Sequence, residues 1–139
     1  MTMLLAVAVA CAAGAAQAQV NAHTFRLSTA GATGHPSIAG GEKLGELVSK
    51  KSGGKMTIKL FPNGTLGGDV QTVSALQGGV IDMTMLSSGI LAAQVKEFVV
   101  FDLPFMFNDG READAVVDGL IGKALGAKLA DKGLVALGY

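Results

Sequence analysis

From Thr24 onward the apolar positions form short runs that switch between alternation and a period of about 3.6, the mark of strands interleaved with helices. Phe25 to Ala30 is the first extended run, and Gly31 to Gly34 is a loop. His35 and Pro36 then start a helix, because proline is tolerated where the first helical N–H has no internal partner. Ile38, Leu44, Leu47 and Val48 fall near one face of that helix. Lys50 and Lys51 suit the negative end of its dipole, and Gly53 and Gly54 can take the left-handed conformation that ends it. Met56, Ile58 and Leu60 alternate with Thr57 and Lys59, as a strand with one buried face requires.

Pro62, Asn63 and Gly64 break that strand in a turn, and Val70, Val73 and Leu76 mark a short helix ending at Gly78 and Gly79. Val80 to Leu86 is nearly all apolar apart from Asp82 and Thr84, which predicts a central strand covered on both faces. Asp109 and Glu112 have capping-box spacing ahead of Ala113, Val116, Val117 and Leu120. A further helix runs through Ala124, Leu125 and Leu129, and Leu134 to Gly138 opens another strand. The alternation predicts an α/β domain with a largely parallel sheet.

Composition changes this picture at the amino terminus. Residues 1–18 carry no charged side chain and hold the apolar run Leu4 to Ala13, followed by Ala16, Gln17 and Ala18, the small-x-small pattern a signal peptidase accepts. A cleavable signal peptide with cleavage after Ala18 is the expectation, although Met1, Thr2 and Met3 lack the usual basic residue. Cys11, the single cysteine, lies inside this segment, so residues 19–139 have no disulfide. They are enough for one modest core.

Charge and motifs exclude several functions. Eleven basic and eleven acidic side chains balance, with no concentrated basic surface for nucleic acid. His23 and His35, the two histidines, have no nearby partners at metal-ligand spacing. Gly40, Gly41 and Gly45 match neither a dinucleotide fingerprint nor a P-loop. No paired acid and base or nucleophile and histidine suggests an enzyme, and Asp102 reads as a structural acceptor. No metal and no cofactor is expected.

Positive candidates lie after the strands. Ligands of open α/β sheets sit beyond the carboxyl ends of strands, which makes Thr29 a candidate contact. Ser87 and Ser88 follow the third run, and Gly89 lets backbone approach a ligand closely; hydroxyls and N–H groups there suit a carboxylate or hydroxy acid. A helix N-cap role for one serine is the alternative. Phe101, Phe105 and Phe107 concentrate half of the six phenylalanines, a pattern more typical of core.

The ordered segments FPNGTLGG (Phe61 to Gly68), IDMTMLSSG (Ile81 to Gly89) and EFVVFDLPFMF (Glu97 to Phe107) resemble the amino-terminal half of the solute-binding proteins of tripartite ATP-independent periplasmic (TRAP) transporters, the DctP-like family. The resemblance runs from about Phe25 to Tyr139. It implies a bilobal, type II periplasmic-binding-protein-like fold of which residues 19–139 hold only the first lobe. It further implies a periplasmic receptor, monomeric and without catalysis, that captures a small organic acid and delivers it to ion-gradient-driven membrane permease subunits. Thr29, His35, Ser87 and Ser88 would face the cleft, with Phe105 as an apolar wall. The carboxylate-binding arginine would lie beyond Tyr139, since neither Arg26 nor Arg111 matches the family motif. An exported sensor or enzyme on the same scaffold, or a gene remnant, are the other readings.

Overall fold

The computed structural model describes residues 21–139. The expected signal peptide lies outside the described residues. Three strands, β1 (His23–Thr29), β2 (Met56–Phe61) and β3 (Met83–Met85), form a parallel sheet in the order β2-β1-β3. Helix α1 (Pro36–Lys51) connects β1 to β2, and α2 (Asp69–Gln77) connects β2 to β3. Two 3-10 helices (Ser88–Ala93 and Lys96–Asp102) lead to α3 (Gly110–Val117) and α4 (Leu120–Ala130). The α/β architecture and the parallel sheet agree with the sequence pattern. No helix among the described residues is long and apolar enough to cross a membrane.

Helix α1 packs on the sheet through glycine. Gly41 is its one buried residue, and a Cβ there would stand 3.1 Å from Leu60 Cδ1 and 3.3 Å from Leu27 Cδ2. The helix glycines therefore bring backbone against strands rather than phosphate against backbone. Of the predicted apolar face, Ile38, Leu44 and Val48 are partly buried, whereas Leu47 stays 41% exposed. The main core is formed by Val73, Val95, Phe98, Leu125, Leu129 and Leu134, which pack together. Phe98 is fully buried, whereas Phe105 is fully exposed, so the core phenylalanine of this segment is Phe98.

Two strand expectations need correction. The apolar run from Val80 yields a strand of only three residues, which lies at one edge of the described sheet while β1 is central. Val80 and Ile81 instead close α2, their N–H groups donating to Ala75 O at 2.8 and 3.4 Å, and Val80 is left 62% exposed. The segment 134–139 alternates buried Leu134 with exposed Val135 and Leu137 but pairs with no described strand. Leu120 and Val70 also face outward, each standing at the first turn of its helix. Asp109 does cap α3, accepting from Glu112 N at 3.0 Å, while Glu112 reaches back one residue further than expected, to Asn108 N at 2.8 Å.

An ion pair fixes how β3 meets β1. The Arg26 side chain donates to Asp82 Oδ2 from Nε at 2.9 Å and to Oδ1 from Nη2 at 3.2 Å. Arg26 N also donates to Asp82 Oδ2 at 2.8 Å, and Asp82 N returns a bond to Arg26 O at 3.2 Å. The Arg26 side chain, then its backbone N–H, hold the Asp82 carboxyl down to about 2. Because the folded value lies below the unfolded one, the associated stability is present above the unfolded value and is lost as pH falls through the folded one.

Thermal melts of the full-length protein across pH should therefore show Asp82→Asn lowering the midpoint at pH 7 and flattening the fall in stability between about pH 4 and 2. An unchanged acid limb would show that the pair contributes nothing. Gly41→Val should destabilise the fold by about 1–3 kcal/mol in denaturant titration, since Leu60 and Leu27 must give way.

Candidate functional site

The sheet order places a topological switch beside β1, because one connection runs to β2 on one side and the next crosses to β3 on the other. Ligands of open α/β sheets bind at the strand carboxyl ends beside such a point. A concavity of about 390 Å³ lies there, lined by Thr29, Ala30, Gly31, His35, Ser37, Asp69, Met85, Leu86 and Ser87. Three of the five sequence-predicted residues, Thr29, His35 and Ser87, thus converge. Ser88 is the next residue along, the first of its 3-10 helix, and is not part of the lining. Phe105 stands apart with its side chain fully exposed and its backbone at φ 60°.

The first wall is a directed hydrogen-bond chain. Thr29, 2% exposed at the end of β1, accepts from Gly31 N at 3.2 Å, and its Oγ1 lies 3.5 Å from Ser37 Oγ. Ser37 Oγ is in turn 2.8 Å from His35 Nδ1, which also accepts from Ser37 N at 3.2 Å as the cap of α1. Since Nδ1 accepts, the Ser37 hydroxyl donates to it and Nε2 is the nitrogen left to carry a proton. The chain therefore runs from Gly31 N–H through two hydroxyls to the imidazole. It orients the ring without using Nε2.

The FPNGTLGG segment holds this wall still. Asn63 and Gly64 both take positive φ, 56° and 65°, the geometry of a tight primed turn. That turn aims Asn63 N at Gly31 O (2.9 Å) and Gly64 N at Thr29 O (3.1 Å), so the loop after β1 is pinned by the turn after β2. Gly67, at φ 110°, and Gly68 then deliver the chain to α2 with Asp69 at its first turn. Asp69 and Ser37 were not singled out from the sequence. Their signal was adjacency, Ser37 two residues after His35 and Asp69 directly after the double glycine.

The second wall follows β3. Ser87, a lining residue of the concavity, occupies the cap position of its 3-10 helix, yet its exposed side chain makes no capping bond. Gly89 makes room for a neighbouring side chain: a Cβ there would overlap the Asp102 carboxylate as it lies, and the exposed Asp102 side chain would have to turn aside. Asp102 therefore acts on this loop by packing against it. A second concavity, of about 500 Å³, is lined by residues 92–97 with Lys128, Asp131 and Lys132, and it holds none of the predicted residues. Among the described residues, no group of three or more His, Cys, Asp or Glu side chains could hold a metal ion.

Residues 27–139 match the family of bacterial extracellular solute-binding proteins, family 7 (DctP). The chain belongs to that family. Among solved structures, a TRAP periplasmic solute-binding protein from Ochrobactrum anthropi, with its C-terminus bound in the ligand-binding pocket, is 49% identical. It superposes with a TM-score of 0.84, over 86% of this chain and 38% of that one. The 2,3-diketo-L-gulonate-binding periplasmic protein YiaO of Escherichia coli is 37% identical over 98 residues, 70% of this chain and 30% of that protein. The C4-dicarboxylate-binding protein DctB of Bacillus subtilis is 35% identical over 115 residues, 83% and 33% of the two chains. The chain thus spans about a third of the length of these curated relatives.

For this family 7 chain, Gly89→Ala should lower stability by about 1 kcal/mol or less, the cost of turning the exposed Asp102 side chain aside. Adding Asp102→Ala should recover most of the loss in thermal denaturation. Equal losses in the single and double variants would show that the Asp102 carboxylate is not what Gly89 accommodates.

Proposed function

We propose that the full-length protein is an extracytoplasmic receptor that captures a small organic acid between two lobes and delivers it to TRAP permease subunits in the membrane. Residues 19–139 supply the first lobe, and residues 1–18 are the cleaved signal peptide of a periplasmic, monomeric protein that performs no catalysis and binds no nucleic acid. One observation carries the reading: Thr29, His35, Ser37 and Ser87 converge on a concavity at the carboxyl ends of two neighbouring parallel strands. Separate segments, joined by two crossovers, place polar groups around one small volume. The relatives' names, a sugar-acid binder and a C4-dicarboxylate binder, point to the same class of small acids.

On this account the first lobe grips the ligand by hydrogen bonds, and the second lobe provides the arginine that neutralises the carboxylate. No lysine or arginine lines the described concavity, so the counter-charge comes from elsewhere. Ser88 acts through its position in the 3-10 turn behind Ser87. Phe105, fully exposed, serves as an apolar wall that the second lobe meets on closure. The closed form is the one the permease recognises.

Isothermal titration of the full-length protein with a panel of small organic acids should give saturable binding. Thr29→Val and Ser87→Ala should each weaken it about 3- to 10-fold, the worth of one neutral hydrogen bond. Absence of binding across aldonates, uronates and dicarboxylates, or undiminished affinity in both variants, would refute the proposal.

A further inference from the structure

The face of the sheet turned toward α2 carries hydroxyls where apolar side chains are the usual filling. Ser28 and Thr84 are register partners on β1 and β3, so they project to the same side, and Thr72 of α2 meets Thr84 there. Ser28 and Thr72 are 0% and 1% exposed, and Thr84 is partly buried. None of the three lines the concavity. Burying a hydroxyl costs its hydration unless a partner replaces the water, and Ser28 Oγ has no partner among the described residues. Apolar groups of the same shape would hold this contact about as well, so stability alone does not account for the hydroxyls.

Their arrangement does. Thr84 Oγ1 has one proton and two acceptors in reach, Ser28 O at 3.2 Å and Thr72 Oγ1 at 3.3 Å. Thr72 Oγ1 donates its own proton to Asp69 O at 2.8 Å. That last bond is an ordinary habit of a helical threonine, but its extension to a second element through Thr84 is not. One hydroxyl thus joins the end of β1, the middle of β3 and the first turn of α2. These lead to Thr29 and the loop after it, to Met85, Leu86 and Ser87, and to Asp69, all of which line the concavity. Among the described residues, the Thr84–Thr72 contact is the hydrogen bond that ties α2 to the sheet, since Gln77 at the far end of the helix bonds to Gln94 and Lys132 O instead.

We propose that Thr84 is a positioning residue for ligand binding: its shared hydroxyl holds the start of α2 at the carboxyl ends of β1 and β3, and affinity depends on it although Thr84 does not line the concavity. The inference rests on the receptor reading above. A site assembled from several elements binds at full strength only when they already stand in the bound arrangement, because ordering them on binding subtracts from affinity. Without the Thr84 hydroxyl, Ser28 O and Thr72 Oγ1 lose a common donor and α2 is freed to shift against β3. A role in stability alone would lower the melting midpoint and leave the affinity of the folded protein unchanged.

The full-length protein should be titrated calorimetrically with D-galactonate, D-glucuronate and succinate, and the tightest of these carried through Thr84→Val, Thr84→Ser, Thr72→Val and Ser52→Ala, with melting midpoints recorded in parallel. Thr84→Val and Thr72→Val should each weaken binding by about 3- to 10-fold, whereas Thr84→Ser, which keeps the hydroxyl, should stay within about twofold of wild type. Ser52→Ala removes a hydroxyl that bonds Ser49 O and Met56 O at the opposite end of the sheet, so it should lower the midpoint and leave affinity unchanged. Undiminished affinity in Thr84→Val, or an equal loss in Ser52→Ala, would overturn the inference while leaving the receptor reading intact. Should Thr84→Val not fold, undiminished affinity in Thr72→Val would overturn it in the same way. Failure of the wild type to bind any of these acids would overturn both.

Discussion

The Arg26–Asp82 pairing is the constraint on which the rest of the described structure depends. It combines a forked side-chain contact with backbone N–H groups at both residues, so it sets the register of β3 against β1 as well as holding the two together. With that register, Leu27 pairs with Met83 and Thr29 with Met85. A slip of one residue would turn every β3 side chain to the opposite face. The two segments that line the concavity, the loop after Thr29 and the loop from Leu86, would no longer converge. Since β3 is only three residues long, its ladder alone gives weak insurance against such a slip.

Glycine sets the remaining distances. Gly41 lets α1 lie close over Leu27 and Leu60, which brings the start of the helix, with His35 and Ser37, beside the end of β1. Asn63 and Gly64 aim two backbone N–H groups at the carbonyls of Thr29 and Gly31, and Gly89 makes room for the Asp102 carboxylate. The polar groups of the site are therefore positioned mainly by backbone hydrogen bonds and close backbone approach. Such a scaffold is rigid on its first wall, where the Thr29 and Ser37 hydroxyls are already engaged with each other and with His35, as a preorganised surface should be.

Local patterns were legible where a single period decided the outcome. Met56 to Leu60 alternates and forms β2, Gly53 and Gly54 take positive φ after α1, and Asp109 caps α3. What could not be read was how packing divides an apolar run. Val80 and Ile81 look like strand but are used to terminate α2, because the last carbonyls of a helix lack intrahelical donors and these two N–H groups supply Ala75 O. Phe98 and Phe105 are chemically alike and seven residues apart; the first lies in the 3-10 helix and packs with Leu125 and Leu129, whereas the second stands in the turn beyond it and is exposed. Thr29 and Ser87 followed from the rule about strand ends and His35 from its turn and the family resemblance, whereas Ser37 and Asp69 required the three-dimensional convergence of α1 and α2 on that point.

The receptor proposal turns on ligand entering the concavity at the ends of β1 and β3. The most direct measurement is the change in backbone amide resonances of isotope-labelled full-length protein on addition of a bound acid. Perturbations within this lobe should concentrate at Gly31, Ser37, Asp69, Leu86 and Ser87. Perturbations centred instead on residues 92–97 and Lys128, with the strand-end amides unchanged, would contradict it.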